Sequence, residues 1–409
     1  MKFDDYRISK ELKANLSQMG FKRPTDIQYK CIPHIQKGED VLAIAQTGTG
    51  KTAAFAIPVI DLIQFNRKKV GPGIKCLVMV PTRELAVQIT EVFHKLGRNT
   101  KTKTAAIYGG VEQEGQIKRL LDGVDVLVAT PGRMFDLIAQ GHIDLSKVAT
   151  LVLDEADHML DLGFYKDIED VIRKLPKNRQ TLFFSATIDK NIKKLAYSIV
   201  RNAIRIQISP KDPVSKNVDH GVAFVEMDDK RFFLERMIKE NPEDKMLVFV
   251  RTKVRAERVK AAMERVNLVA DTIHGDRGQK DREEVLSRFK SGALKVLIAT
   301  DVSARGIDVP GVQMVINYDL PDKAENYVHR VGRTGRGKAR GRAVSFCAKQ
   351  EKELLKEIEN FTNNKIEILK VDQSEYRETV NISSPKENDW QALMDNFEEE
   401  KKLRRKKKK

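Results

Sequence analysis

The chain has few of the features that stabilise secreted proteins or anchor membrane proteins. Its three cysteines, Cys31, Cys76 and Cys347, stand far apart and share no C-x-x-C spacing. That excludes a disulfide framework and a cysteine-built zinc site, and reads as structural thiols in a reducing cytosol. No apolar run approaches the roughly 18 residues that a transmembrane helix needs, so no membrane partner is expected. The N-terminus, MKFDDYRISKEL, has no apolar h-region, so no secretory signal is expected and the location is cytoplasmic. No heptad run supports a coiled coil, so a monomer is expected. What the chain has is length and basic charge. Its 409 residues, 41% hydrophobic, allow two or three domains with ordinary cores. The formal net charge is +16, and eight of the last nine residues, KKLRRKKKK, are basic. Half the excess therefore lies in that tail and the body is only moderately basic. A polyanion is the implied partner, nucleic acid first; the terminal run also reads as a merely solvated tail.

Val41-Leu42-Ala43-Ile44 suits a buried strand, and AQTGTGKT follows at residues 45–52. This is the pattern G-x-x-x-x-G-K-[ST] with Ala45 at the first glycine, a side chain small enough for the tight turn. Gln46, Thr47, Gly48, Thr49 and Gly50 form the loop, whose glycines let backbone N–H groups face phosphates. Lys51 supplies the charge for the β- and γ-phosphates. Thr52 offers a hydroxyl to Mg²⁺ and opens a helix whose N-terminus favours anions. The apolar run Leu151-Val152-Leu153 ends in DEAD, residues 154–157. Asp154 is the candidate Mg²⁺ ligand, and Glu155 the candidate for positioning or deprotonating the attacking water. Alone, the tetrapeptide also reads as an acidic helix cap; the loop upstream favours the magnesium-nucleotide reading.

The two halves are alike. Leu77–Val80 precedes Pro-Thr-Arg and Leu247–Val250 precedes Arg-Thr-Lys, an offset of 170 that recurs between Val126–Thr130 and Val296–Thr300. Ile107–Gly110 resembles Ile273–Asp276 at an offset of 166. Short apolar strands alternating with helix-period segments predict parallel βαβ units built twice, an α/β fold. The expected boundaries are a first domain at 1–208, a linker at 209–217 (SPKDPVSKN), a second domain at 218–371, and a basic, mostly disordered tail at 372–409. Within that tail Trp390, Leu393, Met394 and Phe397 are spaced as one helix face, able to dock on the second half or on a partner.

Only the first half carries GKT and DEAD. The second has HRVGRTGR at 329–336, with arginines between glycines. If the halves close on one another, Arg333 and Arg336 reach the γ-phosphate from the far side and make hydrolysis conditional on closure. A basic surface for nucleic acid is the other reading, and Lys338, Arg340 and Arg342 continue the positive run. In ATDVSARGIDVP, residues 299–310, Gly306 permits close backbone approach and Asp308 can accept from a ribose hydroxyl; alone, this loop could simply turn the chain.

These motifs, in this order over about residues 1–370, resemble the DEAD-box RNA helicases of superfamily 2. GFKRPTDIQ at 20–28 looks like the family's Q motif, extending the first domain's nucleotide site to residues 1–29 with Phe3 as an upstream aromatic. The resemblance implies two RecA-like domains facing a cleft, ATP as the nucleotide, Gln28 reading the adenine edge and Phe21 packing near the base. His329 would join the water network beside Glu155, with Arg333 and Arg336 as arginine fingers. RNA backbone would be held by Pro81, Thr82, Arg83, Gly110, Thr130, Pro131, Gly132 and Arg133 from one side. His274, Gly275, Arg282 (with Gln279) and Thr300 would hold it from the other. SAT at 185–187 would link hydrolysis to unwinding. The sequence departs from the family pattern at His158, where arginine is frequent, and at Ser303, where alanine is; neither is expected to touch the phosphate chemistry. A short N-terminus and basic tail look like the bacterial RhlE-type subgroup. The implied activity is ATP-dependent local unwinding of short RNA duplexes or remodelling of ribonucleoprotein particles, with hydrolysis used for release. An ATP-gated RNA clamp and a DNA translocase use the same parts; a small-molecule kinase leaves residues 240–342 unexplained.

Overall fold

The computed structural model describes residues 2–46, 48–188, 190–208, 217–304, 309–335 and 339–381, with the side chains of residues 68–70 outside the description. Thr47, residues 209–216, Gly306, Asp308, Arg336, Lys338 and the segment from Trp390 to Phe397 with its basic end thus lie outside the described residues.

Two sheets of seven strands form, and every pairing in them is parallel. The first contains β1 (Val41–Ala45), β2 (Cys76–Met79), β3 (Thr104–Ile107), β4 (Val126–Ala129), β5 (Thr150–Leu153), β6 (Gln180–Ser185) and β7 (Ile204–Ile208), in the order 3-4-2-5-6-1-7. The second contains β8 (Val218–Phe224), β9 (Met246–Phe249), β10 (Ala270–Ile273), β11 (Val296–Ala299), β12 (Met314–Asn317), β13 (Gly341–Cys347) and β14 (Glu367–Ile368), in the order 10-11-9-12-13-8-14. Adding seven to each strand number of the first sheet gives the second. The similarity between the halves is therefore a similarity of whole topology.

The strands are short apolar runs because both faces are covered by helices. Alternation assigns each residue to a face. Val41, Ala43 and Ala45 join Val78, Val128, Val152 and Phe184 in one core layer. Leu42 and Ile44 join Leu77, Met79, Leu127, Leu151 and Leu153 in the other. The second sheet divides likewise, with Leu247, Phe249 and Leu297 on one side and Met246, Val248 and Ile298 on the other. Cys31, Cys76 and Cys347 are free and buried, and burial pushes the thiols of Cys31 and Cys347 up to about 12 and about 11. They pack as small apolar groups. Among the described residues no helix is long and apolar enough to cross a membrane.

One boundary differs from the sequence expectation. Instead of beginning a disordered tail, Gln373–Asn381 is a helix that docks on the helix Lys230–Glu240. Tyr376 packs with its ring tilted against Phe233, centroids 5.0 Å apart, and donates to Asp229, while Arg236 holds Thr379 and Glu375. The segment is polar because only one narrow face is covered, so hydropathy alone does not reveal it.

Parallel connectivity places every strand's carboxyl end on one edge, where α/β sheets bind ligands. The first sheet thereby gathers the loops after β1, β2, β3, β4, β5 and β6. Phe184 anchors the layer beneath them, fully buried and 5.2 Å from the ring of Phe55 in the helix that follows the phosphate loop. Phe184→Ala is expected to destabilise the first domain by about 3–5 kcal/mol, read as an earlier first transition in urea unfolding. A shift below about 1 kcal/mol would show that this layer does not hold the loop's helix.

Candidate active site

Gly48 and Gly50 both take left-handed backbone angles, φ 81° and 95°, so the loop turns where a side chain would strain it. At Gly50 a Cβ would also lie 2.5 Å from the Gln28 amide nitrogen. That close approach is functional: Gln28 Nε2 donates to the Gly50 carbonyl at 3.2 Å, and its Oε1 accepts from the Thr25 N–H at 3.0 Å. Gln28, buried, so braces the loop and keeps one N–H and one lone pair for a ligand edge. Phe21 packs edge-on against Phe3 at 5.8 Å. Thr49 Oγ1 donates to the Gln46 carbonyl at 2.7 Å and closes the turn. Ala45, the last residue of β1, is fully enclosed. The chain then enters the helix Lys51–Val70.

Lys51 is buried and its Nζ has no hydrogen-bond partner among the described residues. An ammonium desolvated without a partner is costly unless an anion completes it. Asp154 and Glu155 stand at the end of β5. Burial, opposed by the charge of Lys51, pushes the Asp154 carboxyl up to about 7. A buried carboxyl of that kind gains most from a cation, and with the Thr52 hydroxyl it offers hard oxygen donors. These residues fit Mg²⁺. At Glu155 burial also works upward, but the nearby His158, Lys51 and Arg333 outweigh it and the carboxyl is held low, near 2. Neighbouring acids driven in opposite directions mark a charge-managed site. Glu155 also holds φ 51° and ψ 48°, a left-handed conformation that costs a non-glycine residue on the order of 1 kcal/mol.

Asp157 was not singled out from the sequence, yet its Oδ2 accepts from the N–H groups of Ala186 and Thr187 at 3.1 Å each and from the Thr187 hydroxyl. It fastens the SAT loop to DEAD. His158, one of the two departures from the family pattern, is 3% exposed with Nδ1 3.5 Å from Glu155 Oε2. Ser303, the other departure, holds the Thr300 hydroxyl at 3.2 Å.

The second domain meets the first here. The Arg333 guanidinium contributes to the low Glu155 carboxyl across the domain boundary, and its Nε donates to the His329 carbonyl at 3.2 Å. Arg330, one of the three arginines of the run, is structural: it is 1% exposed, pairs with both oxygens of Asp301 and donates to the Asp319 carbonyl. Arg282 reaches Glu84 at 2.7 Å, Arg83 reaches Gln279 at 3.4 Å, and Lys323 reaches Asp161 at 2.9 Å.

A cleft of about 390 Å³ runs between the domains. It is lined by Pro81, Thr82, Arg83, Thr130, Pro131, Gly132 and Arg133 on one side and by Gly275, Arg282 and Ser303 on the other, with Leu162 and Phe164 at its edge. The last two carried no sequence signal. Thr82 caps the helix Arg83–Leu96 through the Leu85 N–H, and Pro131 opens the helix Pro131–Ala139. Both helices therefore aim their N-termini at the cleft, as suits phosphate. Gly110 sits beneath Arg83 with φ 80°, and a Cβ there would lie 1.9 Å from the guanidinium. His274 is not among the lining residues; it is buried with Nε2 2.7 Å from Glu257.

Comparison with known proteins agrees with this geometry. The family model for DEAD/DEAH box helicase matches residues 25–195, and that for the helicase conserved C-terminal domain matches residues 229–338. The DEAD-box ATP-dependent RNA helicase CshA of Bacillus subtilis is 39% identical over 370 residues, which is 90% of this chain and 74% of the relative. That of Streptococcus pneumoniae is 40% identical over 90% and 70%. Among solved structures, S. cerevisiae Dbp5 bound to RNA and ADP BeF3 superposes with a TM-score of 0.83 at 32% identity, covering 93% of this chain and 98% of that one. Mss116p bound to ssRNA and AMP-PNP also gives 0.83, at 29% identity over 93% and 82%. With its P-loop and DEAD strand ends on one sheet and its arginine run on the other, the chain belongs to the DEAD-box ATP-dependent RNA helicases.

Proposed function

We propose that ATP binds the first domain, that single-stranded RNA lies across both, and that closure of the cleft completes the hydrolytic site. The observation that carries this reading is the geometry of the cleft, where Arg83 and Arg133 of the first domain line one side and Gly275 and Arg282 of the second line the other, with Arg282 paired to Glu84 across it at 2.7 Å. Lys51, together with the N–H groups of the loop and the Thr52 hydroxyl, holds the triphosphate. Gln28 and Phe21 recognise the base. Glu155 orients water, with His329 beside it, and Arg333 and Arg336 stabilise charge on the γ-phosphate. Gly306 and Asp308 complete the nucleotide site from the second domain. Mg²⁺, held by Asp154 and Thr52, supplies charge neutralisation on the phosphates when bound.

RNA binding by this chain is supported by the RNA named in the two solved structures it superposes on, and by a cleft bordered by Arg83, Arg133 and Arg282. Thr300 and Gly110 support those arginines and their loops; His274, engaged by Glu257, acts by fixing the Gly275 loop. Contacts of this kind read phosphate and 2′-hydroxyl groups without a sequence code. Bending one strand across the two domains separates short duplexes, and hydrolysis reopens the cleft for release. The protein works in this reading as a monomer recruited to ribonucleoprotein particles, in the cytoplasm, where its three free thiols fit a reducing medium. The RhlE-type assignment rests on the basic residues near the C-terminus, outside the described residues, whereas the relatives compared above are CshA proteins.

Arg333→Ala is expected to cut RNA-stimulated turnover at least about a hundredfold while ATP affinity, read by a fluorescent nucleotide, changes little. Loss of affinity with turnover per bound ATP intact would instead make Arg333 a ground-state contact. In a strand-displacement assay on a short RNA duplex with ATP, the unmodified protein should release the strand. Tight ATP-dependent binding without release would identify a clamp.

Asp154 carries a pH consequence. A carboxyl whose folded-state pKa is raised binds its proton more tightly in the fold; its contribution to stability is full at low pH and disappears as pH climbs through about 7. In protein free of nucleotide and magnesium, Asp154→Asn should therefore gain thermal stability over the parent as pH rises from about 4 to about 8. A Tm difference that does not vary with pH would contradict the assigned burial cost.

A further inference from the structure

His158 is enclosed in the helix Ala156–Asp161, and neither of its ring nitrogens has a hydrogen-bond partner among the described residues. Burying an imidazole in that state is unfavourable, and buried polar side chains are ordinarily paired. The one side chain at ion-pair distance is Glu155, whose Oε2 lies 3.5 Å from Nδ1. An ionised carboxylate can only accept, so the contact is attractive only when Nδ1 carries a proton. Three residues apart on one turn, the two groups face each other across the first turn of the helix. Conversely, the ring is the one described side chain at ion-pair distance from the Glu155 carboxylate, because Lys51 and Arg333 act on it only through longer-range charge.

We propose that His158 is a positioning residue for hydrolysis: its Nδ1–H holds Oε2 of Glu155, so that the other carboxylate oxygen is presented to the attacking water. The inference rests on the reading of Glu155 as the water-orienting group. Catalytic hydrogen bonds are often long in unliganded sites and tighten in the reacting complex, and the 3.5 Å separation leaves the ring poised for that. The backbone strain at Glu155, φ 51°, fits the same purpose. It sets the direction in which the side chain leaves the strand, and the ring one turn later sets where the carboxylate ends.

The test is steady-state, RNA-stimulated ATPase activity of the full chain, with ATP affinity and thermal stability measured alongside. His158→Leu keeps the bulk and burial but removes the donor; His158→Asn keeps an N–H close to the position of Nδ1. The expected result for Leu is a fall in kcat on the order of ten- to hundredfold, the penalty of a misplacement of about 1 Å. KM for ATP should stay within about twofold, and Tm should be unchanged or higher. Asn should restore most of kcat. If the Leu chain does not fold, His158→Met carries the comparison. Turnover of Leu or Met within about twofold of the parent, or an Asn variant that folds but is as impaired as Leu, overturns the proposal. Glu155→Gln separates the two levels of the argument: normal turnover by that variant removes the role of Glu155 itself, whereas its inactivity beside a fully active His158→Leu removes only that of His158.

Discussion

Two carboxylates side by side, Asp154 and Glu155, are buried where β5 ends, and the remaining architecture answers the electrostatic problem they pose. Adjacent buried acids repel and are desolvated, so in isolation both would be driven toward the neutral form. Here they are driven apart. Asp154 rises with burial, whereas Glu155 is held ionised by positive groups that include Arg333 from the other domain. Cation for the first and water for the second are the roles that such a division supports. The strand end, the strained backbone of Glu155, the loop that carries Lys51 and the placement of the second sheet all bear on this one pair.

Dependence on the second domain is useful only if the domains come together conditionally. Polar contacts that join them include Arg282 with Glu84, Arg83 with Gln279 and Lys323 with Asp161. The last is exposed on both sides, and such pairs contribute about 0–1 kcal/mol. Arg83 to Gln279, at 3.4 Å, is a long hydrogen bond. Exposed or long contacts of this kind each add little to closure, and association of the domains costs orientational entropy against them. Moving an open–closed equilibrium from one extreme to the other takes about 5.5 kcal/mol. Ligands that touch both domains can supply that difference. Arg83 and Arg282 lie in the cleft and also join the domains, so a ligand in the cleft would act on the side chains that hold the domains together.

Much of this was legible in the sequence because it is written in local patterns. A strand–loop–helix with GKT, an acidic pair after an apolar run, and strand cores repeating at an offset of 170 residues each need only a short window. The cleft residues from Pro81 to Arg133 came from the resemblance to the family's motifs, and the fold gathers them because parallel strands put their carboxyl ends on one edge. What escaped was the set of partners. Arg330 and Arg333 look alike in HRVGRTGR, and only the position of Asp301 and Phe249 makes the former a buried ion-pair member and the latter a group facing Glu155. His158 was expected to stand apart from the phosphate chemistry because the sequence alone does not show that its ring lies beside the Glu155 carboxylate. The helix Gln373–Asn381 escaped because its stability comes from Phe233 and Arg236, more than a hundred residues upstream.

The same considerations explain why the site tolerates local unfavourable features. Among the described residues Lys51 Nζ lacks a hydrogen-bond partner, the buried His158 ring has only Glu155 Oε2 beside Nδ1 at 3.5 Å, and Glu155 holds a left-handed backbone. Each costs on the order of 1–3 kcal/mol, and a domain with a net stability of about 5–15 kcal/mol can carry several only if its core is large. The first domain has such a core, with two apolar layers around a fully enclosed central sheet. Unsatisfied groups grouped at one strand edge are then a store of binding free energy, since a polyanionic ligand satisfies the ammonium and a cation satisfies the raised carboxyl. Well-packed layers beneath and incompletely paired groups above are therefore parts of one arrangement: the sheet supplies the stability that lets its carboxyl edge carry groups that a bound ligand would satisfy.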